Sequence, residues 1–456
     1  MASTYLSKTF GSAGNRKKFT ISTWVKRTGL GSVQQIMACG VYSSTQLDQL
    51  YFNDTDTLNF DNINTGGTAT STFVSNAKFR DTSAWLHIVV KVDSTQASAG
   101  DRVKFYVNGS EISLATETQP SQNFDFAFNN NVLHNIGTRP SQSHYFDGSM
   151  THFHFTDGYA YDASTFGETD STSGIWKAKS SPSVTYGNNG FFLKFENSGA
   201  MGTDSSGNSN TWSVGGGTLT QNVDTPSNNF ATLNPLYTIE YKSAFFATNG
   251  LTTANITHSA WNTIPCTIAV YSGKWYFEGY GHTNGSNYLH YGITSQEKMN
   301  AHATQPENEI QANANGYAYG YYGSNGQMYY STTSASTTTS YGNSYTSSDY
   351  IGIFMDLDNN KLYFAKNGTL QNSGTGFDIG ADGKPYLACI SLYSGATNVN
   401  FGSGVFGTTA LTGTTYADAN GHGIFKYSPN QAGASNFDSS AKNFYALNTK
   451  NLKEFG

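Results

Sequence analysis

One repeating unit constrains this chain more than any other: a strand, a tight polar turn, a second strand, then Asn-Gly. Its clearest copy is Tyr350–Leu370, YIGIFMDLDNNKLYFAKNGTL. Ile351, Ile353, Met355 and Leu357 alternate with Gly352, Phe354, Asp356 and Asp358, the period of a β-strand with two different faces. Asp358-Asn359-Asn360 supplies a turn, because short polar side chains tolerate left-handed backbone angles. Lys361–Lys366 returns as a second strand, and Asn367-Gly368 is the dipeptide of a hairpin that needs positive φ twice. A weaker copy lies in the first half: WLHIVVKVD over Trp85–Asp93, a polar loop, then KFYVNGSEI from Lys104, with Asn108-Gly109 after its strand. Two such halves predict two related antiparallel sandwiches in tandem.

The composition agrees. The chain has 456 residues, enough for two or three domains, with 48 glycines against nine prolines and only 12% charged residues. Thirty Tyr, 30 Phe and six Trp can fill two sandwich cores. Only Ser295–Asn308 reads as a short helix. The net charge of −6 and a single basic run, Arg16-Lys17-Lys18, argue against nucleic-acid binding. Cys39, Cys266 and Cys389 are odd in number, widely spaced and without a CxxC, as expected of reduced, buried thiols in a protein folded in a cytosol. MASTYLSKTF has no apolar signal region and no window is apolar enough to span a membrane, so neither secretion by a leader nor membrane insertion is expected. Polar termini fray unless something ties them down, and the expectation is that neighbouring chains hold both.

In chain order, strands are predicted over FTISTWVKR (Phe19–Arg27), Gln35–Val41, Leu50–Phe52, Leu58–Phe60, Trp85–Asp93, Val103–Val107 and Val132–Ile136. Tyr145–Tyr159 reads as strand, turn, strand. Turn signals recur about every ten residues, the spacing of an antiparallel sandwich. FTISTWVKR, WLHIVVKVD, KFYVNGSEI and YFDGSMTHFHFTDGYAYD, in this order, resemble the laminin-G/concanavalin-A-like module over roughly residues 1–180. Beyond them, Phe191–Phe195 is a strand and DSSGN at Asp204–Asn208 a tight turn, also resembling one found in laminin-G-like modules. Gly215-Gly216-Gly217, Asp224-Thr225-Pro226 and Asn234-Pro235 mark a connector. From Tyr237 the alternation resumes. GKWYFE at Gly273–Glu278, LHYGI at Leu289–Ile293, the block Ile351–Gly368 and VNFG at Val399–Gly402 resemble the SPRY module.

The expected architecture is therefore all-β, with two concanavalin-A-like jelly-roll sandwiches. They are a first sandwich over 1–185, a connector over 186–236 whose first strand can join it, a second sandwich over 237–405, and a C-terminal docking segment over 406–456. The order laminin-G-like, connector, SPRY-like, then ALNTKNL resembles virion proteins of tailed phages of marine bacteria. That resemblance implies assembly in host cytoplasm, a place in the virion as fibre, spike or head decoration, and other virion proteins as partners. It also implies a homo-oligomer and contact with host surface polysaccharide.

Catalysis has little support. Glycan hydrolysis needs paired carboxyl groups about 5–10 Å apart. Glu168-Thr169-Asp170 begins an ExDxxE pattern, but Ser173 stands where its last Glu belongs and glycines mark a loop. Phosphate-binding and nucleophile-elbow motifs are missing. The expectation is no catalytic residue, no cofactor and no metal. His152 and His154, on one strand face, could bind zinc only with a third ligand from His134 or His144. Asn53-Asp54-Thr55-Asp56 offers oxygens to calcium, though an Asx turn explains it equally. The expected binding surface is GYAYGYYGSNGQMYY over Gly316–Tyr330. Alternation puts Tyr317, Tyr319 and Tyr321 on one face, and exposed tyrosines, Tyr322 with them, suit sugars and protein interfaces; the alternative is that half of the run is core.

Overall fold

The computed structural model describes residues 3–41, 43–171, 174–237, 245–248, 250–257, 259–302, 309–312, 316–380, 385–430 and 443–456. Within 245–248 and 300–302 only the backbone is described. The chain divides into two compact units, Met1–Gln221 and Asn222–Gly456. Each is a pair of antiparallel sheets around its own apolar core, so the all-β tandem architecture is as the alternation predicts.

In the first unit, one sheet has eight strands among the described residues. In spatial order they are Leu114–Thr118, Ala69–Lys78, Thr57–Ile63, Leu47–Phe52, Gln34–Cys39, Leu133–Ile136, Tyr5–Thr9 and Ser213–Gly216. The facing sheet runs Phe191–Leu193, Gly148–Asp157, Lys18–Arg27, Leu86–Asp93, Val103–Val107 and Ser110–Glu111. Phe19, Ile21 and Val25 meet Leu50, Phe52, Phe60 and Phe73 in the core between them. The turn at Asn108-Gly109 takes φ of 48° and 83°, the two positive angles that the dipeptide was expected to supply.

Three features of this unit bear on the sequence reading. Tyr145–Tyr159 does not form two strands: Gly148–Asp157 is one strand, and its register against Lys18–Arg27 shifts between Thr151 and His154. His152 there has φ of 48°, so a bulge stands where a turn was expected. The first strand beyond residue 185 joins the sandwich, as the sequence allows, and a second strand from the connector joins it too. Phe191–Leu193 pairs with Gly148–Asp157, and Ser213–Gly216 pairs with Tyr5–Thr9. The N-terminal strand is thereby held on both edges inside its own sheet.

In the second unit, one sheet runs Phe245–Thr248, Thr253–Ile256, Gly395–Asn400, Lys274–Tyr280, Ile351–Asp356, Lys361–Lys366 and Thr369–Leu370. The other runs Asn262–Val270, Tyr386–Leu392, Leu289–Ser295, Ala318–Tyr322, Gln327–Ser331 and Ser336–Ser340. Ile351, Ile353, Met355 and Leu357 enter the core between the sheets, as alternation predicts. Asn367 and Gly368 again carry positive φ, 50° and 80°. The expected helix begins as Gln296–His302; its remaining residues, 303–308, lie outside the described residues.

The described part of the tail packs on its own unit. Tyr445–Ala446 pairs in parallel with Lys274–Tyr280 of the same unit. Phe354, on the strand face opposite the main core, packs edge-on against Phe444 at 5.1 Å in a second cluster with Tyr276, Tyr363 and Phe425. A sheet face with rings at Tyr276, Phe354 and Tyr363 needs a cover, and the chain's own end supplies it. A short helix, Thr449–Phe455, follows, its N-cap Asn448 accepting the Asn451 N–H. The three cysteines are free and buried. No described helix is long and apolar enough to cross a membrane.

Candidate functional site

The tyrosine stripe is core, not surface. Alternation does put Tyr319 and Tyr321 on one face, but that face is the interior, where they are 2% and 0% exposed. Tyr317 packs partly buried against the same core. The Tyr321 hydroxyl donates to the Asn343 carbonyl, and Tyr319 Oη accepts the Gly380 N–H at 2.7 Å. Period-two alternation groups residues by side and leaves open which side is covered.

Tyr322 points to the other side of its sheet, into an aromatic group that no single stretch of sequence displays. Three adjacent strands end in register: Leu392 is paired with both Asn262 and Leu289. The residues next to these three are Trp261, Tyr393 and Tyr288, so the pairing brings their rings together. Trp261 lies 5.8 Å from Tyr393 and 6.4 Å from Tyr288, and Tyr288 lies 6.0 Å from Tyr393. Beneath them His290 stacks on Tyr322 at 4.5 Å and contacts Trp261 at 5.0 Å. Tyr329 completes the floor, 4.7 Å from Tyr322. Tyr288 is 39% exposed, Trp261 and Tyr393 are half-buried, and Tyr322 and His290 are buried. The result is an aromatic platform with Tyr288 exposed on it and Tyr322 and His290 buried beneath.

Burial lowers the pKa of His290, with Glu309 pulling the other way. Its Nε2 faces Glu309 Oε1 at 3.2 Å, while its Nδ1 has no partner among the described residues. The segment Glu309–Ala312 lies across this sheet. Ile310 packs over Gly320, where an added Cβ would meet its side chain at 2.9 Å, and buried Lys298 Nζ donates to the Ala312 carbonyl at 2.6 Å. Sequence reasoning missed Trp261, Tyr288, His290 and Tyr393. YLHYGI does carry a signal, since alternation separates Tyr288 and His290 from the core residues Leu289, Tyr291 and Ile293. Trp261 and Tyr393 had no local signal, because only strand pairing places them.

The other candidates are engaged elsewhere. Lys177 bridges Asp170 at 3.0 Å and Glu168 at 3.7 Å on exposed surface; Ser173 lies outside the described residues. His154 stacks on Phe192 at 3.9 Å and bonds the Tyr186 hydroxyl at 2.8 Å, and burial drives its pKa well down. His134 belongs to the opposite sheet, where its ring nitrogens meet the Val132 carbonyl at 2.7 Å and the Asn129 N–H at 3.2 Å. It therefore cannot complete a site with His152 and His154, and His144 sits in a loop. Asn53 forms an Asx turn, accepting the Thr55 and Thr57 N–H groups at 3.0 Å. Asp56 turns inward to the buried guanidinium of Arg27 at 3.0 Å, so the two aspartates of a calcium loop do not converge. Among the described residues no group of three or more His, Cys, Asp or Glu converges to hold a metal. An open cavity of about 330 Å³ in the first unit is lined by Met201, Trp212, Val214 and Leu219.

Residues 2–163 match the concanavalin A-like lectin/glucanases superfamily, and residues 274–404 match the SPRY domain. The chain carries these two domains in tandem. No curated protein matches the chain. Among solved structures it is similar to the SPRY domain of human HERC1, at 16% identity over 34% of this chain and 91% of that one, with a TM-score of 0.28. It is also similar to the heptameric SAP-like pentraxin of Limulus polyphemus, at 13% identity over 39% of this chain and 86% of that one, with a TM-score of 0.28. The TRIM65 PSpry domain stands at 14% identity, 38% and 90% coverage, and a TM-score of 0.27. The platform lies within the SPRY domain's sheet, apart from Trp261 just before the matched residues.

Proposed function

We propose that this chain is a non-enzymatic structural protein of a virion, exposed on the particle as fibre, spike or head decoration. In this reading it assembles as a homo-oligomer with other virion proteins and recognises its target through the SPRY domain. The observation that carries the recognition role is the Trp261 platform: three rings held in fixed geometry at one end of a sheet, with Tyr288 substantially exposed. Rigid aromatic area costs little entropy on binding. The virion placement rests on the resemblance of the whole arrangement, including the ALNTKNL stretch, to virion proteins of tailed marine phages. The exposed, lysine-bridged state of Glu168 and Asp170 supports a role without hydrolysis.

The test is immunogold labelling of intact particles whose genome encodes this chain, with the native mass of the purified protein measured alongside. Labelled particle surfaces and an oligomeric mass are expected. A stable monomer that never associates with particles would sink the reading. The same platform favours a second reading, a lectin-like adhesin that holds host surface polysaccharide.

A further inference from the structure

The Trp261 platform has the shape and chemistry of a sugar subsite. We propose that it binds a neutral saccharide through the faces of Trp261, Tyr288 and Tyr393; this inference rests on reading the chain as a recognition protein. Aromatic faces are electron-rich, and the C–H faces of a pyranose ring are weakly positive, so the two stack without any charged partner. The platform offers such faces ready-made, because Tyr288 and Tyr393 stand edge-to-face at 6.0 Å and both pack on Trp261. Hydroxyl groups to meet those of a sugar stand beside it. Ser286 is exposed in the turn that leads into Tyr288, and Ser324 is exposed in the turn that follows Tyr322.

Charge selects the ligand class. Among the described residues the charged group bonded to the platform is Glu309, which faces His290. Among the described residues no lysine or arginine stacks on Trp261, Tyr288 or Tyr393, whereas a phosphate, sulfate or uronate would require a cation. Topology disfavours a peptide. Of the three strands beneath the platform, Leu289–Ser295 and Tyr386–Leu392 are each paired on both edges, and the edge strand Asn262–Val270 is bridged by Leu233 at Cys266, so an extended chain has little free edge to join. The His290 ring lies 5.0 Å from the Trp261 ring, and its buried Nδ1 lacks a partner among the described residues, giving the floor a polar group.

The experiment is affinity electrophoresis of the full chain through gels cast with dextran, mannan or galactan, with alginate as the anionic control. Polymers are suitable probes because a shallow subsite binds weakly, and repeated units on the polymer raise retention. Retardation by at least one neutral polymer, and none by alginate, is expected. Trp261→Ala should weaken retention at least tenfold. Tyr288→Ala should weaken it with an unchanged urea midpoint, which keeps the test valid if the Trp261 variant folds poorly. Passage unretarded through all three neutral gels overturns the proposal. So does retention that both variants leave intact, or retention by alginate alone. Particle labelling separates this result from the virion reading: a chain found on particles but never retained loses only the saccharide site. A chain retained by a neutral gel but never found on particles loses only its place in the virion.

Discussion

The carboxylate of Glu278 accepts the backbone N–H of Tyr427 at 2.8 Å, and through that bond the middle of a sheet holds a segment 149 residues further along the chain. The same carboxylate accepts the Lys426 N–H at 3.0 Å, the Tyr276 hydroxyl at 3.0 Å and the Asn400 amide at 3.2 Å. Four donors around a fully buried acid form a clasp between Lys274–Tyr280 and the C-terminal region. Asp418 makes a second clasp, accepting the Ala446 N–H at 2.9 Å and the Asn451 amide at 2.7 Å.

The clasp makes stability depend on pH. Burial pushes Glu278 from 4.5 up to about 7, with the four donors pulling back. A folded pKa above the unfolded one means that its contribution is complete below about 4.5 and falls as pH rises to about 7. The drop is about 3 kcal/mol at most. Urea unfolding of the full chain across this range should show a declining midpoint for the second unit, and a flatter profile in Glu278→Gln. Asp48, raised by burial to about 7, adds a decline of the same sign in the first unit. Identical profiles in wild type and Glu278→Gln would refute the assignment.

Arg27 is fully buried, its Nη2 on Asp56 at 3.0 Å, its Nη1 on the Phe79 carbonyl at 2.7 Å and its guanidinium over the Phe52 ring. Asp56→Ala strands that charge in the interior. A loss of about 3–5 kcal/mol is expected, read as a lower denaturant midpoint for the first unit. Added calcium should not shift the wild-type midpoint, because Asp56 is committed to arginine; a calcium-dependent rise would revive the metal loop.

Tyr321 and Tyr288 should behave oppositely. Tyr321→Ala removes a core ring and should cost about 3–5 kcal/mol, by analogy with large aromatic truncations. Tyr288→Ala removes an exposed ring and should stay within about 0.5 kcal/mol. Thermal melts of the two variants decide the matter, and equal losses would contradict the assignment of core and platform.

Phe444→Ala tests where the tail belongs. Its ring is fully buried against Phe354, so a loss of about 3–5 kcal/mol in the second unit is expected, with an unchanged native mass. A fall in mass at constant stability would instead make the tail an intersubunit element.

Glu168→Gln combined with Asp170→Asn should leave unchanged any glycan hydrolysis seen in a preparation of the protein, since both carboxylates are tied to Lys177 at the surface. Reducing-end release from the same polysaccharides used in the gels is the assay. Loss of release in the double variant would restore the enzyme reading.

By itself the sequence determined the local grammar of this protein. Alternation in Ile351–Asp356 and Lys18–Arg27 set which residues share a side, and Asn108-Gly109 and Asn367-Gly368 set two turns through their positive φ. These are properties of neighbouring residues, governed by the β pleat and by steric limits on φ and ψ. Strands such as Ser336–Ser340 and Ser213–Gly216 were not legible, because Ser, Thr and Gly runs show no apolar alternation and are held by their partners. Only the tertiary structure decided which side each strand buries. It turned Tyr319 and Tyr321 inward, covered Phe354 with Phe444, and set Trp261 beside Tyr288 and Tyr393 through pairing to Leu392. The physical reason is that burial depends on what is stacked against a face, and those covering residues lie far away in the chain.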